Sequence, residues 1–199
     1  VAPIVLPLLA GAGMLLLNGE RHRNIVAAVN VATTVALVCV AVILLGMSDS
    51  GHPEIREVYR LGDWPAPFGI VLVLDRLSAL MLLLTSILAL ASVVFSLARW
   101  HRTGAHFHPL FQFLLMGLNG AFLTGDLFNL FVFFELLLAA SYGLLLHGSG
   151  LARVKAGLHY IVVNLVASLL FLIGVSLIYG VTGTLNMAEA SWLSGKTNI

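Results

Sequence analysis

Six times along the chain the sequence runs for a membrane's width, or nearly so, with almost no charge, and polar segments separate the runs. The runs are 1–17, 25–47, 72–97, 109–124, 127–147 and 156–181. A helix needs about 20 mostly apolar residues to cross a hydrocarbon core about 30 Å thick, because each residue advances about 1.5 Å. The fold class expected is therefore all-α, a polytopic transmembrane helix bundle. Only Gly125 and Asp126 separate the fourth run from the fifth, which predicts a tight antiparallel hairpin. The composition agrees: 60% of residues are hydrophobic, 10% are charged, and the mean hydropathy is +1.03. Soluble domains carry about 25% charged residues, so an ordinary soluble enzyme and a disordered chain are both excluded. The net charge of +1 leaves no polybasic surface for nucleic acid. A single cysteine, Cys39, excludes an internal disulfide and a cysteine-based metal site.

Loop charge predicts orientation, because cytoplasmic loops carry an excess of Lys and Arg. Arg21 and Arg23 lie in the first loop, Arg99 and Arg102 in the third, and Arg153 and Lys155 in the fifth. These alternate loops are expected to be cytoplasmic, with the N-terminus outside. The long second loop, 48–71, mixes Asp49, Glu54, Glu57 and Asp63 with Arg56 and Arg60, and includes Trp64, Pro65 and Pro67. It is expected to face outward, as an ordered hairpin over the bundle. The first run lacks the basic flank of a cleaved signal peptide. The polar stretch 182–199 brings no closing element, and the chain reads as part of a longer one.

One residue in the fifth run carries chemistry. Glu135 lies nine positions past Asp126, about 14 Å along a helix axis and near the bilayer centre. A carboxyl there costs at least about 2.5–3.5 kcal/mol to insert, and such groups face bundle interiors and serve ion pathways. Low dielectric and a neighbouring cation act on it in opposite senses. A carboxyl held between them is switched by moving the cation. Its neighbours at helical spacing are Phe131, Leu138, Ala139 and Tyr142, none of them basic. A charged partner must come from another helix, and the membrane-level candidates are Arg76, Lys155 and His159. A structural glutamate is the competing reading.

Weaker candidates surround it. Asp126 opens the fifth run, as a helix N-cap or as part of an ion route. Asp75 and Arg76 open the third, as interfacial anchors or as members of a buried network. His159 lies early in the sixth run and is suited to proton relay near neutral pH. Hydrogen-bonded interhelical packing is its other reading. Asn119, Asn129 and Asn164 are expected to bond between helices, and the small residues at 117/121, 120/124 and 139/143 to let helices approach closely. His101, His106 and His108 are expected in a solvated loop. His147 and His159 lie near one membrane surface, which does not suit a haem pair, and no cofactor or metal is expected.

Three segments together resemble a known family. The run 117–135 reads Gly-Leu-Asn-Gly-Ala-Phe-Leu-Thr-Gly-Asp-Leu-Phe-Asn-Leu-Phe-Val-Phe-Phe-Glu. It is supported by Leu-Asp-Arg-Leu-Ser-Ala-Leu at 74–80 and by Gly-Val-Thr-Gly-Thr-Leu-Asn-Met-Ala at 180–188. The chain resembles the antiporter-like subunits of Mrp cation/proton antiporters, and within them the D subunit most. These subunits are related to the proton-pumping membrane subunits of respiratory complex I. The resemblance implies a subunit of about fourteen helices, of which about six spans are visible here. It implies that Glu135 is the family's fifth-helix glutamate, paired with a lysine on the seventh helix as an electrostatic switch. Many relatives carry a lysine where His159 stands. The function implied is proton translocation within a multisubunit sodium/proton antiporter of the prokaryotic cell membrane. Its partners would be other membrane subunits, lipid, protons and Na+, with no nucleic acid and no bound cofactor. The alternatives are a proton-pumping subunit of an NADH–quinone oxidoreductase or membrane-bound hydrogenase, and a structural scaffold subunit.

Overall fold

The computed structural model describes residues 1–17, 22–49, 57–60, 69–99, 106–147 and 150–197. The expectations for Arg21, Glu54, Arg56, Asp63, Trp64, Pro65, Pro67, His101 and Arg102 fall outside those residues. Seven helices and a short hairpin are described, in the order α1 (Ala2–Leu16), α2 (Arg23–Asp49), β1 (Glu57–Arg60), β2 (Val71–Leu74), α3 (Arg76–Arg99), α4 (Phe107–Leu123), α5 (Leu127–Leu146), α6 (Leu151–Thr182) and α7 (Met187–Thr197). Helices α2, α3, α5 and α6 are long and apolar enough to cross a membrane, while α1 and α4 are apolar but shorter, at 15 and 17 residues.

Two expectations are corrected. The third run starts at Arg76, not at 72, because Val71–Leu74 is a strand. A short apolar run of Val and Leu does not reveal its period. Asp75 then marks the helix start, with its Oδ1 accepting from Ser78 N at 2.7 Å. The polar stretch after the sixth run contains α7, whose first turn is capped by Asn186 Oδ1 accepting from Ala188 N and Glu189 N.

The loops expected to face outward are joined at one end of the bundle. Strand β2 pairs antiparallel with β1, from Glu57↔Leu74 to Arg60↔Val71. Its other edge meets the α4–α5 turn, where Leu72 bridges Thr124 and Gly125 N donates to Val71 O at 2.8 Å. That turn also pairs with the α6–α7 connection. Leu127 N donates to Leu185 O and Met187 N to Gly125 O, each at 2.9 Å. Gly183, at φ 70°, supplies the left-handed residue that ends α6. Backbone groups in these connections are thus satisfied by one another, as a site away from bulk water requires.

Helix α4 is the centre of the bundle. It packs on α1 and α5 and also meets α2 and α3. Phe111 and Leu115 of α4 join Leu37, Ala89 and Val93 in one buried cluster, and Leu123 joins Ala41, Leu72 and Leu82 in another. Helix α6 lies at the edge and keeps most of its apolar surface exposed.

The α1–α4 contact contains a local repair. Pro7 sits inside α1 and has no N–H, so the carbonyl of Pro3 loses its helical donor. Asn119 Nδ2 supplies the missing hydrogen bond at 2.9 Å, and Asn119 is 1% exposed. Replacing Asn119 with Leu is expected to lower stability by about 1–3 kcal/mol, because a buried carbonyl is left without a donor. The midpoint of thermal unfolding of the purified membrane complex measures it.

Candidate functional site

Glu135 is the ninth residue of the 20-residue α5, near the middle of that helix. It is half-buried, and its Oε1 is fully buried with no hydrogen-bond partner among the described residues. Aromatic pairs fix the face on which it lies. Phe131, one turn before Glu135, stacks on Phe171 of α6 with ring centres 6.2 Å apart. Tyr142, two turns after it, meets Tyr160 of α6 edge-on at 5.7 Å. Glu135 therefore occupies the α6-facing side of α5 between two aromatic contacts. The antiparallel register that those contacts set puts Ala167 at its level.

The opposite side of the same turn is clamped to α4. A Cβ at Gly117 would lie 2.8 Å from the backbone nitrogen of Leu137 and 2.9 Å from the carbonyl oxygen of Phe133. Only a residue without a side chain lets the two backbones approach this closely. Gly117 thus seats the turn 133–137 that carries Glu135.

The other sequence candidates lie elsewhere. Asp126 is 8% exposed and caps α5, its Oδ1 accepting from Asn129 N at 2.9 Å. Asp75 caps α3, and Arg76 is exposed. His159 is exposed, with Nδ1 at 2.9 Å from the carbonyl of Lys155 on its own helix. By the α5–α6 register it stands about 12 Å from the level of Glu135, at about 1.5 Å per residue. The structure does not bring His159, Asp75 or Asp126 to Glu135. Capping assigns Asp126 a cost: Asp126→Ala is expected to destabilise by about 1 kcal/mol, whereas Asp126→Asn, an equally good cap, leaves stability unchanged. Thermal unfolding of the two variants side by side measures this.

Of the three asparagines expected to bond between helices, Asn119 does so. Asn129 Nδ2 instead donates to Thr124 Oγ1 in the adjoining turn at 2.9 Å, and Asn164 Nδ2 to Tyr160 O of its own helix at 2.8 Å. The expectation of a solvated loop fails for His108, which is 7% exposed inside the first turn of α4. It meets Asn30, Thr34 and Gln112 in a buried polar cluster between α2 and α4 that sequence reasoning missed. The signal is present as two polar pairs at i, i+4 spacing, Asn30/Thr34 and His108/Gln112, inside apolar runs.

Comparison with known proteins agrees with this arrangement. Residues 124–198, which include the α4–α5 turn and Glu135, match the family described as NADH:quinone oxidoreductase/Mrp antiporter, transmembrane. The chain is 64% identical over 191 residues to the D subunit of a probable K(+)/H(+) antiporter of Rhizobium meliloti (strain 1021), covering 95% of this chain and 35% of that protein. It is 40% identical over 199 residues to the D subunit of the Na(+)/H(+) antiporter of Alkalihalophilus pseudofirmus, covering 98% of this chain and 39% of that protein. Among solved structures, a chain of the Mrp complex from Dietzia sp. DQ12-45-1b superposes with a TM-score of 0.86 at 35% identity, over 96% of this chain and 38% of that one. The chain thus spans between a third and two fifths of the length of these relatives. Its span-length apolar helices and these likenesses make it an integral membrane protein of the prokaryotic cell membrane. On sequence and fold together, the chain is similar along nearly its whole length to part of the D subunits of cation/proton antiporters, and its residues 124–198 match the NADH:quinone oxidoreductase/Mrp antiporter transmembrane family.

Proposed function

We propose that this chain is a proton-translocating part of a multisubunit cation/proton antiporter, in which Glu135 changes charge state during transport. The observation that carries the proposal is the buried, unpartnered Oε1 of a carboxyl at mid-helix in α5. A permanently structural glutamate would gain from a donor on each oxygen. A group that must take up and release a proton needs one position open to a partner that comes and goes. The partner implied by the family resemblance is a lysine on a helix beyond α6. Approach of the ammonium favours the carboxylate, and its withdrawal favours the acid, so moving the cation drives the proton. The chain would act as a transporter subunit, not as a catalyst, among other membrane subunits.

The names of the two relatives differ in their cation, K+ in one and Na+ in the other. Sodium is the cation proposed from the sequence, and the greater identity to the potassium-named relative makes K+ the ion to compare with it. The test is cation-driven collapse of a pH gradient in everted vesicles from an antiporter-deficient host that expresses the complete complex. Collapse on adding Na+ or K+ supports the reading and selects the ion. Proton movement that responds only to a respiratory electron donor moves the chain to the redox-driven branch of the same family.

A further inference from the structure

The packing of α5 on α6 follows a single antiparallel register. Phe131 stacks on Phe171, and Tyr142 meets Tyr160 edge-on, eleven residues further along one helix and eleven back along the other. Beyond them, a Cβ at Gly157 would lie 2.8 Å from Leu146 Cδ2 and 3.7 Å from Leu145 Cδ2. The stripe of α6 that faces α5 therefore runs through Gly157, Tyr160, Asn164, Ser168 and Phe171, at the three- and four-residue spacing of one helix face. Asn164 and Ser168 are the only polar residues in 161–170. Glu135 lies on the facing side of α5, and on this register Ser168 is one residue, about 1.5 Å, from its level.

Glu135 and Ser168 share a second property. Glu135 Oε1 is buried with no hydrogen-bond partner among the described residues. Serines elsewhere in the spans turn back onto their own helix. Ser86, Ser92 and Ser176 donate to the carbonyl four residues before, and Ser96 and Ser141 to the carbonyl three before. The half-buried Ser168 makes no such bond and has no other hydrogen-bond partner among the described residues. Asn164, by contrast, is held by its own helix, Nδ2 donating to Tyr160 O at 2.8 Å. Phe171 meets both Phe131 and Phe134, with ring centres 6.2 Å and 6.3 Å away, so the surroundings at this level are apolar. A polar atom without a partner is costly there, and one hydrogen bond across the seam answers both groups.

We propose that Ser168 is a positioning residue for the proton step of Glu135: its hydroxyl oxygen accepts a hydrogen bond from the protonated carboxyl when the cationic partner has withdrawn. The proposal rests on the proton-transport reading above and names the group that holds the neutral state of the same site. A protonated carboxyl has an O–H to donate, and a seryl oxygen can accept it. An ammonium is the stronger partner for the carboxylate, because charge-assisted hydrogen bonds outweigh neutral ones. Rotation of the Glu135 side chain between staggered rotamers exchanges one partner for the other. Ser168 thus favours the acid form, and the ammonium the carboxylate. Between the two aromatic contacts Glu135 is the only charged residue of α5 and α6, and the titratable neighbours on the seam are Tyr142 and Tyr160. His159 and Lys155 lie nearer the start of α6, and the titratable group of α4, His108, sits in its first turn against Asn30 of α2.

The test uses the complete complex in lipid bilayers and infrared difference spectra between alkaline and acid pH. The carbonyl band of a protonated carboxyl that vanishes in Glu135→Gln belongs to Glu135. In Ser168→Ala that band is expected to move to higher frequency, as a carboxyl does on losing a hydrogen bond. The pH profile of cation-driven transport is expected to move to lower pH by about 0.5–1 unit, the effect of one hydrogen bond made in the acid state alone. Ser168→Thr retains the hydroxyl and is expected to keep band and profile in place. A band that stays put in Ser168→Ala overturns the proposal, and so does one that moves as far in Ser168→Thr. A transport rate that falls evenly at every pH, with no shift of the profile, makes Ser168 structural and overturns it too. If the wild-type spectra contain no band that depends on Glu135, the carboxyl never takes up a proton, and the transport reading falls together with its positioning residue.

Discussion

Glu135→Gln is expected to abolish cation-driven collapse of the pH gradient while the complex still assembles. The amide has the size and shape of the carboxyl, so the packing of α5 against α6 through Phe131 and Tyr142 is kept. What it lacks is a proton that can leave and a charge that can attract a lysine. Groups that transfer protons in a rate-determining sequence contribute about a hundredfold to ten-thousandfold, so the initial rate per assembled complex is expected to fall about a hundredfold or more. Glu135→Asp retains the chemistry but withdraws the carboxyl by one methylene, and a partial loss is expected. The pair of variants separates charge from reach. Initial rates in everted vesicles, normalised to the amount of assembled complex, measure both. Unchanged transport in Glu135→Gln would leave the carboxyl a structural role only and would favour the scaffold reading of the chain.

The prominence of Glu135 in the sequence has a physical origin. A charge in an otherwise apolar run is costly at any position near mid-membrane, so its presence marks a functional constraint before any fold is known. Span-length runs are legible for the same reason, because hydrocarbon thickness sets their length directly. The strand 71–74 is not legible, since four consecutive apolar residues carry no readable period and merge with the helix that follows. Helix α7 is hidden by its polarity. Its start is nonetheless written as Asn186 followed three residues later by Glu189, a capping pattern that the hydrogen bonds of Asn186 Oδ1 display. Loop charge alone places His108 in the basic loop before α4, whereas it lies inside the first turn of that helix and against Asn30 of α2. Spacing shows Glu135 to be without a basic neighbour on its own helix. Its place on the α6-facing side of a turn whose other side is held by Gly117 depends on how α4, α5 and α6 dock, and spacing on one helix contains no information about that.

The docking of α5 on α4 supplies the second large expected effect. Gly117→Ala places a Cβ 2.8 Å from the backbone nitrogen of Leu137 and 2.9 Å from the carbonyl of Phe133. Backbone atoms cannot swing aside as a side-chain tip can, so the turn 133–137 must retreat as a unit. Overfilling a packed contact costs about 1–3 kcal/mol, and Gly117→Leu is expected to lie at or beyond the upper end, with the assembled subunit lost. The alanine variant is more informative, because it is expected to assemble and yet transport poorly. Glu135 sits in the displaced turn, and a misplacement of about 1 Å at a reacting group can cost about a hundredfold. Gly13→Ala in α1 is the matched control, since a Cβ there meets nothing within 4 Å. It is expected to leave assembly and rate unchanged. Transport rate set against thermal stability across the three variants measures the effect. If Gly117→Ala loses rate and stability only in proportion, the close contact serves folding alone. If the rate falls while the complex stays assembled and folded, the position of Glu135 limits transport even when its chemistry is intact, and the helix contact that seats it belongs to the transport mechanism.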